Sequence, residues 1–232
     1  MILGIRESNQ KIVTDGLVLH LDAAQTLSYT SGSSTWRDLS GNGAVGTLTN
    51  GPTFDSDAGG NINYDGSNDT VSVPHQSAYN VTAVTCILFV KTPVSYTGNF
   101  RAIFSKEGAS RDFNFYAYSS AGNGVINYFH LSIGSIGGHS TVGNIGSLAL
   151  NKWHQVGFSI GGGTLYYILN GSILSSESYT GTFTANNSYQ LKVGSADNYW
   201  SGKIANCLLY NRVLSTSEIL QNYNATKTRF GL

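Results

Sequence analysis

Between Trp153 and Tyr179 three apolar runs are cut by two glycine turns, and that pattern restricts the fold more tightly than anything else in the chain. The runs are Trp153 to Ile160, Leu165 to Leu169 and Ser172 to Tyr179, separated by Gly161-Gly162-Gly163 and Asn170-Gly171. Asn-Gly between apolar strands needs positive φ at both central residues and so specifies a type I′ hairpin. The stretch therefore predicts a three-stranded antiparallel meander. The same alternation recurs upstream. Phe113, Phe115 and Ala117 interleave with Asn114, Tyr116 and Tyr118, and Phe129, Leu131 and Ile133 with Tyr128, His130 and Ser132. A period of two gives each of these strands one greasy face and one polar-aromatic face.

Other segments add to an all-β reading. Leu17 to Leu21 reads as a first strand, residues 62 to 73 as a hairpin about Asp65-Gly66, and residues 81 to 91 as a continuous apolar central strand. Gly134 to Gly146, rich in Gly, Ser and Ile, reads as a rim loop. One helix start stands out: Ser215-Thr216-Ser217-Glu218 is a capping box, followed by Ile219, Leu220 and Tyr223 on a common side. The composition agrees, with 14 Tyr, 10 Phe and 28 Gly among 232 residues and only 11% charged, against about 25% in ordinary domains. Regular patterning begins at Gly16, so residues 1–15 are read as an N-terminal arm and a possible assembly anchor, and residues 16–232 as one domain.

In order along the chain, six phrases resemble the laminin G-like, concanavalin A-like lectin/glucanase superfamily. They are Gly16-Leu-Val-Leu-His-Leu-Asp22, Trp36-Arg-Asp-Leu-Ser-Gly-Asn-Gly43, Asn63-Tyr-Asp-Gly-Ser-Asn-Asp-Thr-Val71, Trp153-His-Gln-Val156, Leu165-Tyr-Tyr-Ile-Leu-Asn-Gly171, and Gly202-Lys-Ile204 running into Leu209 to Ile219. The resemblance implies a concanavalin A-like jelly-roll β-sandwich of two antiparallel sheets with one short C-terminal helix. The opening also looks like bacteriophage virion proteins, in which such domains decorate capsids or form tail fibres. That likeness implies a place on a virion surface or outside the cell, contacts with other virion subunits, and a possible homo-oligomer.

The chemistry of the residues narrows function. Lys plus Arg equals Asp plus Glu, which leaves no footprint for a phosphate backbone, so nucleic acid is not an expected partner. No run approaches the roughly 20 apolar residues of a membrane span, and Met1 to Arg6 lacks a signal peptide's apolar centre. The expectation is synthesis in the cytoplasm without a signal peptide, or a form already trimmed. A retaining glycosidase needs two carboxyl groups about 5 to 5.5 Å apart, yet Glu7 lies in the arm, Glu218 caps the helix, Glu107 and Glu177 stand isolated, and Asp55 and Asp57 read as turn acids. The five histidines lack zinc spacing, and no serine sits in a Gly-x-Ser-x-Gly elbow. No cofactor is required. The family's calcium site would draw on Asp22, Asp38 and Asn42, but Ala205 stands where relatives carry an acid, so no metal is assigned. Cys86 and Cys207 lie in apolar strands and read as inert buried thiols, with a disulfide as the alternative.

A non-enzymatic binding module is thus the leading reading, glycan-binding or adhesive. Its site residues are Asn114, Tyr116, Tyr118, Tyr128 and His130 on the polar-aromatic face, with Asp197, Tyr199 and Trp200 at a second locus. Rings supply contact to sugar C–H faces while amide and imidazole groups orient the hydroxyls. A purely architectural virion protein and a glycoside hydrolase are the alternatives. Trp36 and Trp153 read as packing residues in preference to ligand platforms.

Overall fold

The computed structural model describes residues 10–96, 100–119, 124–136 and 139–232. Its strands are β1 (Leu17–Asp22), β2 (Thr35–Arg37), β3 (Val45–Thr49), β4 (Thr53–Asp55), β5 (Asn61–Asp65), β6 (Thr70–Val73), β7 (Val84–Lys91), β8 (Phe100–Glu107), β9 (Arg111–Tyr118) and β10 (Ile126–Ile133). They continue as β11 (His139–Leu148), β12 (Trp153–Gly161), β13 (Thr164–Leu169), β14 (Ser172–Ser178), β15 (Leu191–Val193) and β16 (Ser201–Tyr210), followed by the helix α1 (Thr216–Thr226). One sheet runs β14-β13-β12-β7-β16-β5-β4, with β1 also on β16; the other runs β11-β10-β9-β8-β15-β6-β3-β2. All the pairings are antiparallel. The jelly-roll sandwich expected from the sequence is the observed architecture.

The alternating residues do what their period requires. Phe113, Phe115, Phe129, Leu131 and Ile133 point between the sheets, where Phe158 of β12 meets Phe113 and Phe115 at ring-centroid separations of 5.5 and 5.2 Å. In the meander, Gly162 and Gly163 have φ of 59° and 78°, and Asn170 and Gly171 have 47° and 80°. Both are two-residue turns with positive φ at each central position, as the hairpin rule demands. Trp36 and Trp153 are buried, which is the packing role expected of them.

Strand β7 is buried on both sides. Cys86, Leu88 and Val90 face the interlayer core. On the other side Ile87 joins Leu208, Leu214 and Ile219 of α1, and Phe89 stacks on Phe230 at 4.2 Å beside Trp153. Helix α1 and the C-terminal tail therefore roof the outer face of the first sheet, and Ser215 and Glu218 close the capping box that starts the helix. Among the described residues no helix covers the outer face of the second sheet.

Three features depart from the sequence reading. Residues 62–73 are no hairpin: β5 belongs to the first sheet and β6 to the second. The inward residues Ile62 and Tyr64 serve one layer and Val71 and Val73 the other, and the crossing is held by Asp69 Oδ2 accepting from the Asp65 amide at 2.9 Å. Part of Gly134 to Gly146 is the edge strand β11, in which Gly143 is required because a Cβ there would lie 2.2 Å from the Tyr167 ring. The N-terminal arm does not extend to residue 15, because Val13 is buried in the α1 cluster, its amide donates to Asn222 Oδ1 at 2.8 Å, and its carbonyl accepts from the Tyr210 hydroxyl at 2.9 Å. Residues 1–9 lie outside the described residues. By contrast, Cys86 and Cys207 are free buried thiols, as the leading reading had them; burial first, and then the proximity of Cys207, pushes the Cys86 thiol above its ordinary range.

The close approach of β7 and β12 yields a test. A Cβ at Gly157 would stand 2.3 Å from the Cys86 carbonyl oxygen, and a backbone atom in a central strand has nowhere to retreat. Gly157→Ala is expected to lower unfolding free energy by about 1–3 kcal/mol, read as a shift in the urea midpoint; an unchanged midpoint refutes the packing described.

Candidate functional site

The site forms where three pieces of chain meet the open face of the second sheet. The first is the β8–β9 hairpin, whose turn places Arg111 opposite Glu107. The second is the end of β10, where His130 pairs with Tyr116 and Ser132 with Asn114 across the β9–β10 ladder. The third is the segment Thr184 to Asn187, tied down by the Thr184 amide donating to Ser135 Oγ at 3.0 Å. Together they bound an open groove of about 880 Å³, lined by Ser110, Arg111, His130, Ser132, Asn186 and Asn187 among others. That volume lies within the range of small-ligand sites.

A buried ion pair holds the groove's far wall. Lys106 and Asp112, with side chains 0% and 1% exposed, meet at 2.6 Å. The same ammonium donates to the carbonyls of Asn187 at 2.7 Å and Ala185 at 3.2 Å, while the Asn187 amide donates to the other Asp112 oxygen. Every strong donor and acceptor of the pair is thereby used, which is the condition under which a buried charge pair is tolerated. The consequence is mechanical: segment 184–187 is locked to β8 and β9.

Beside the groove, Arg111 and His130 also border a smaller concavity of about 120 Å³ with Phe100, Tyr116, Asp197 and Asn198. The segment Ser195 to Tyr199 folds over β8 and β9 here. Ser105 Oγ donates to the Ser195 carbonyl, and the Ala102 amide to Asn198 Oδ1, both at 2.8 Å. This cover explains why Asn114 and Tyr116, expected on an exposed face, are buried. They form a polar relay: Asn114 Nδ2 donates to Glu107 Oε2 at 2.6 Å and lies 2.9 Å from the Tyr116 hydroxyl, which donates to Asp197 Oδ1 at 2.8 Å. Burial pushes the Tyr116 hydroxyl well above its usual range. Burial likewise lowers His130, and the Arg111 charge adds to the effect, so the ring is neutral near pH 7.

The structure joins part of the two predicted loci and separates the rest. Tyr116, His130 and Asp197 border one concavity, with Asn114 behind Tyr116 as support. Tyr118, half-buried, stacks on Phe100 at 4.3 Å and leans on Tyr128 and His130 at 5.8 and 6.4 Å, which makes an aromatic shelf. Trp200 is not a ligand residue: it is 1% exposed in the interlayer core, since the strand after the turn carries it inward. Tyr199, in bridge pairing with Ser195, does not border either concavity. Sequence reasoning missed Phe100, Arg111 and Asn187. Phe100 and Arg111 had a local signal, the hairpin that brings Glu107 opposite Arg111, whereas Asn187 reaches Asp112 across 75 residues and had none.

Elsewhere, the acids that the family's calcium site would use are committed. Asp22 Oδ1 takes Arg229 Nη1 at 2.7 Å, and Asp38 Oδ1 accepts from the His20 and Ser40 amides. A guanidinium on the first carboxylate does not fit a cation there, and among the described residues no cluster of three His, Cys, Asp or Glu could hold a metal.

Residues 65–220 match the family model described as the concanavalin A-like lectin/glucanases superfamily. The chain belongs to that superfamily. Solved structures share the sandwich of this superfamily domain at low identity. The binding domain of Paraclostridial Mosquitocidal Protein 1 superposes with a TM-score of 0.70 at 15% identity over 91% of this chain and 52% of that one. The ligand binding domain of botulinum neurotoxin serotype D, solved in complex with N-acetylneuraminic acid, gives 0.70 at 13% over 91% and 51%. Trypanosoma rangeli sialidase in complex with sialic acid gives 0.66 at 16% over 92% and 33%. The chain thus spans about half the length of the toxin domains it matches, and these likenesses establish the fold. No curated protein matches the chain in sequence.

Two predictions follow from the electrostatics. Lys106→Met is expected to cost about 3–5 kcal/mol, because it strands the Asp112 charge, whereas pairing it with Asp112→Leu recovers most of the loss; chemical denaturation of both variants checks this. Burial lowers the pKa values of His20, His130 and His154 below 6.5, so the unfolded chain takes up those protons first. Their contribution is complete above about pH 6.5 and is lost as pH falls through that value. Glu218, held at about 2 mainly by Arg212, adds a separate loss below its ordinary 4.5. The melting temperature should therefore fall in two stages, and a flat profile between pH 7.5 and 5 would refute the histidine stage.

Proposed function

We propose that this domain is a non-enzymatic carbohydrate-binding module whose ligand lies along the open face of the second sheet. One observation carries the reading: the aromatic shelf of Phe100, Tyr118, Tyr128 and His130 runs into a groove edged by hydroxyl, amide and guanidinium groups. A sugar has the same two-sided character, with apolar C–H faces and a hydroxyl rim, and two-torsion aromatic rings give contact at low entropy cost. Phe100 supports this, being 36% exposed at the end of a strand whose residues Ala102 to Lys106 are buried.

Catalysis has less support. Asp112 is the single carboxylate bordering the groove, and both its oxygens are bonded. Glu107 divides its oxygens between Lys192 at 3.1 Å and Asn114 at 2.6 Å, so no second acid is poised opposite it. Superfamily membership and the solved relative holding N-acetylneuraminic acid are consistent with a sugar ligand. A module of this kind works on a surface that meets glycans, and an adhesive place on a virion or outside the cell belongs to the same proposal.

A glycan array followed by titration calorimetry tests it. Tyr118→Ala and Phe100→Ala should each weaken the best ligand about three- to tenfold, while Tyr166→Ala on the opposite sheet leaves affinity unchanged. No saturable glycan signal from the folded domain would overturn the reading and favour a purely architectural role.

A further inference from the structure

The charges around the groove do not cancel, and that imbalance bears on what kind of sugar enters. Asp112 is neutralised on the spot by Lys106. His130 carries no charge near pH 7, because burial and the neighbouring Arg111 both disfavour the imidazolium. Asp197 borders only the smaller concavity, where it accepts from the Tyr116 hydroxyl, and lies outside the lining of the larger groove. Arg111 remains. Its Nη1 donates to Ser132 Oγ at 2.8 Å, and among the described residues no carboxylate lies within ion-pair reach of its guanidinium. Other guanidiniums of the domain are spent, Arg212 on Glu218 and Asp15, and Arg229 on Asp22.

Arg111 is also aimed, not free to wander. Its backbone is fixed in β9, its carbonyl packs where any side chain at residue 134 would clash, at 2.1 Å from a Cβ, and the Ser132 hydroxyl anchors one arm of the fork. Of the five N–H donors of a guanidinium, most remain for a ligand, in a planar geometry that matches a carboxylate with two parallel bonds. Both concavities share this side chain, so a ring on the aromatic shelf would present its substituents to it.

We infer that the groove selects acidic sugars, those bearing a ring or exocyclic carboxylate, with Arg111 as the specificity-determining residue. This rests on the carbohydrate-binding reading above. A neutral sugar would use the shelf and the hydroxyl rim alone; an acidic one adds a charge-assisted pair with the exposed Arg111 guanidinium.

The experiment compares each acid with its own methyl ester, which keeps the ring and removes the charge. Sialyllactose and oligogalacturonate serve as probes, titrated into the intact domain by calorimetry, with lactose as a neutral reference. The free acid of at least one probe should bind tenfold or more tighter than its ester, with the ratio narrowing at high salt. Arg111→Gln should abolish the ratio, whatever it does to ester affinity, and Arg111→Lys should restore part of it. Equal binding of acids and esters, or a ratio that persists in Arg111→Gln, overturns acid selection while carbohydrate binding stands. If acid, ester, lactose and the wider glycan array all fail to bind, the carbohydrate reading falls, and acid selection with it.

Discussion

Burial of strand β7 on both faces is the constraint from which the rest of this structure follows. A strand apolar on both sides cannot sit at a solvent boundary, so it needs a second sheet on one side and further chain on the other. Cys86, Leu88 and Val90 satisfy the first need, and Ile87 and Phe89 the second, through α1, Val13 and Phe230. Because Val13, α1 and Phe230 roof the first sheet, the described residues leave part of the second sheet's outer face uncovered. The asymmetry of the sandwich, and hence the place of its site, comes from that allocation of apolar surface.

On the open face, loops decide what the sheet alone leaves undecided. Segment 195–199 covers Asn114 and Tyr116 and turns a presumed contact surface into a supporting polar relay. Segment 184–187, pinned by Lys106 and Asp112, raises a wall and makes a groove from a flat surface. The pinning ion pair also occupies Asp112, the carboxylate that borders the larger groove with Arg111. Structural support and site electrostatics are therefore the same interaction seen from two sides.

Much of the fold was legible because its signals are local. Asn170-Gly171 imposes its turn through two φ angles, the alternation from Phe113 to Tyr118 sorts side chains by the pleat, and Ser215 with Glu218 caps a helix across three residues. Reading failed where a local signal admitted two partners. Asp65-Gly66 makes a turn in either a hairpin or a crossing between sheets, and only the destinations of Tyr64 and Val71 separate the two. Gly143 looked like loop material because its reason, the Tyr167 ring packed on it, lies in another sheet. Trp200 looked like a loop platform because alternation through a three-residue bend does not say which side is the core.

By itself, the sequence determined the strand-and-turn grammar, the inward and outward faces, the cap of helix α1, and through these a two-layer antiparallel sandwich. Each depends on interactions spanning a few residues, where φ preferences and the two-residue period act without reference to the rest of the chain. Tertiary structure alone decided which outer face stays open, which loop buries Tyr116, and that Asp197 and Asn187 reach partners 81 and 75 residues away. Those outcomes depend on how apolar area is divided between distant segments, a global balance that no local window contains.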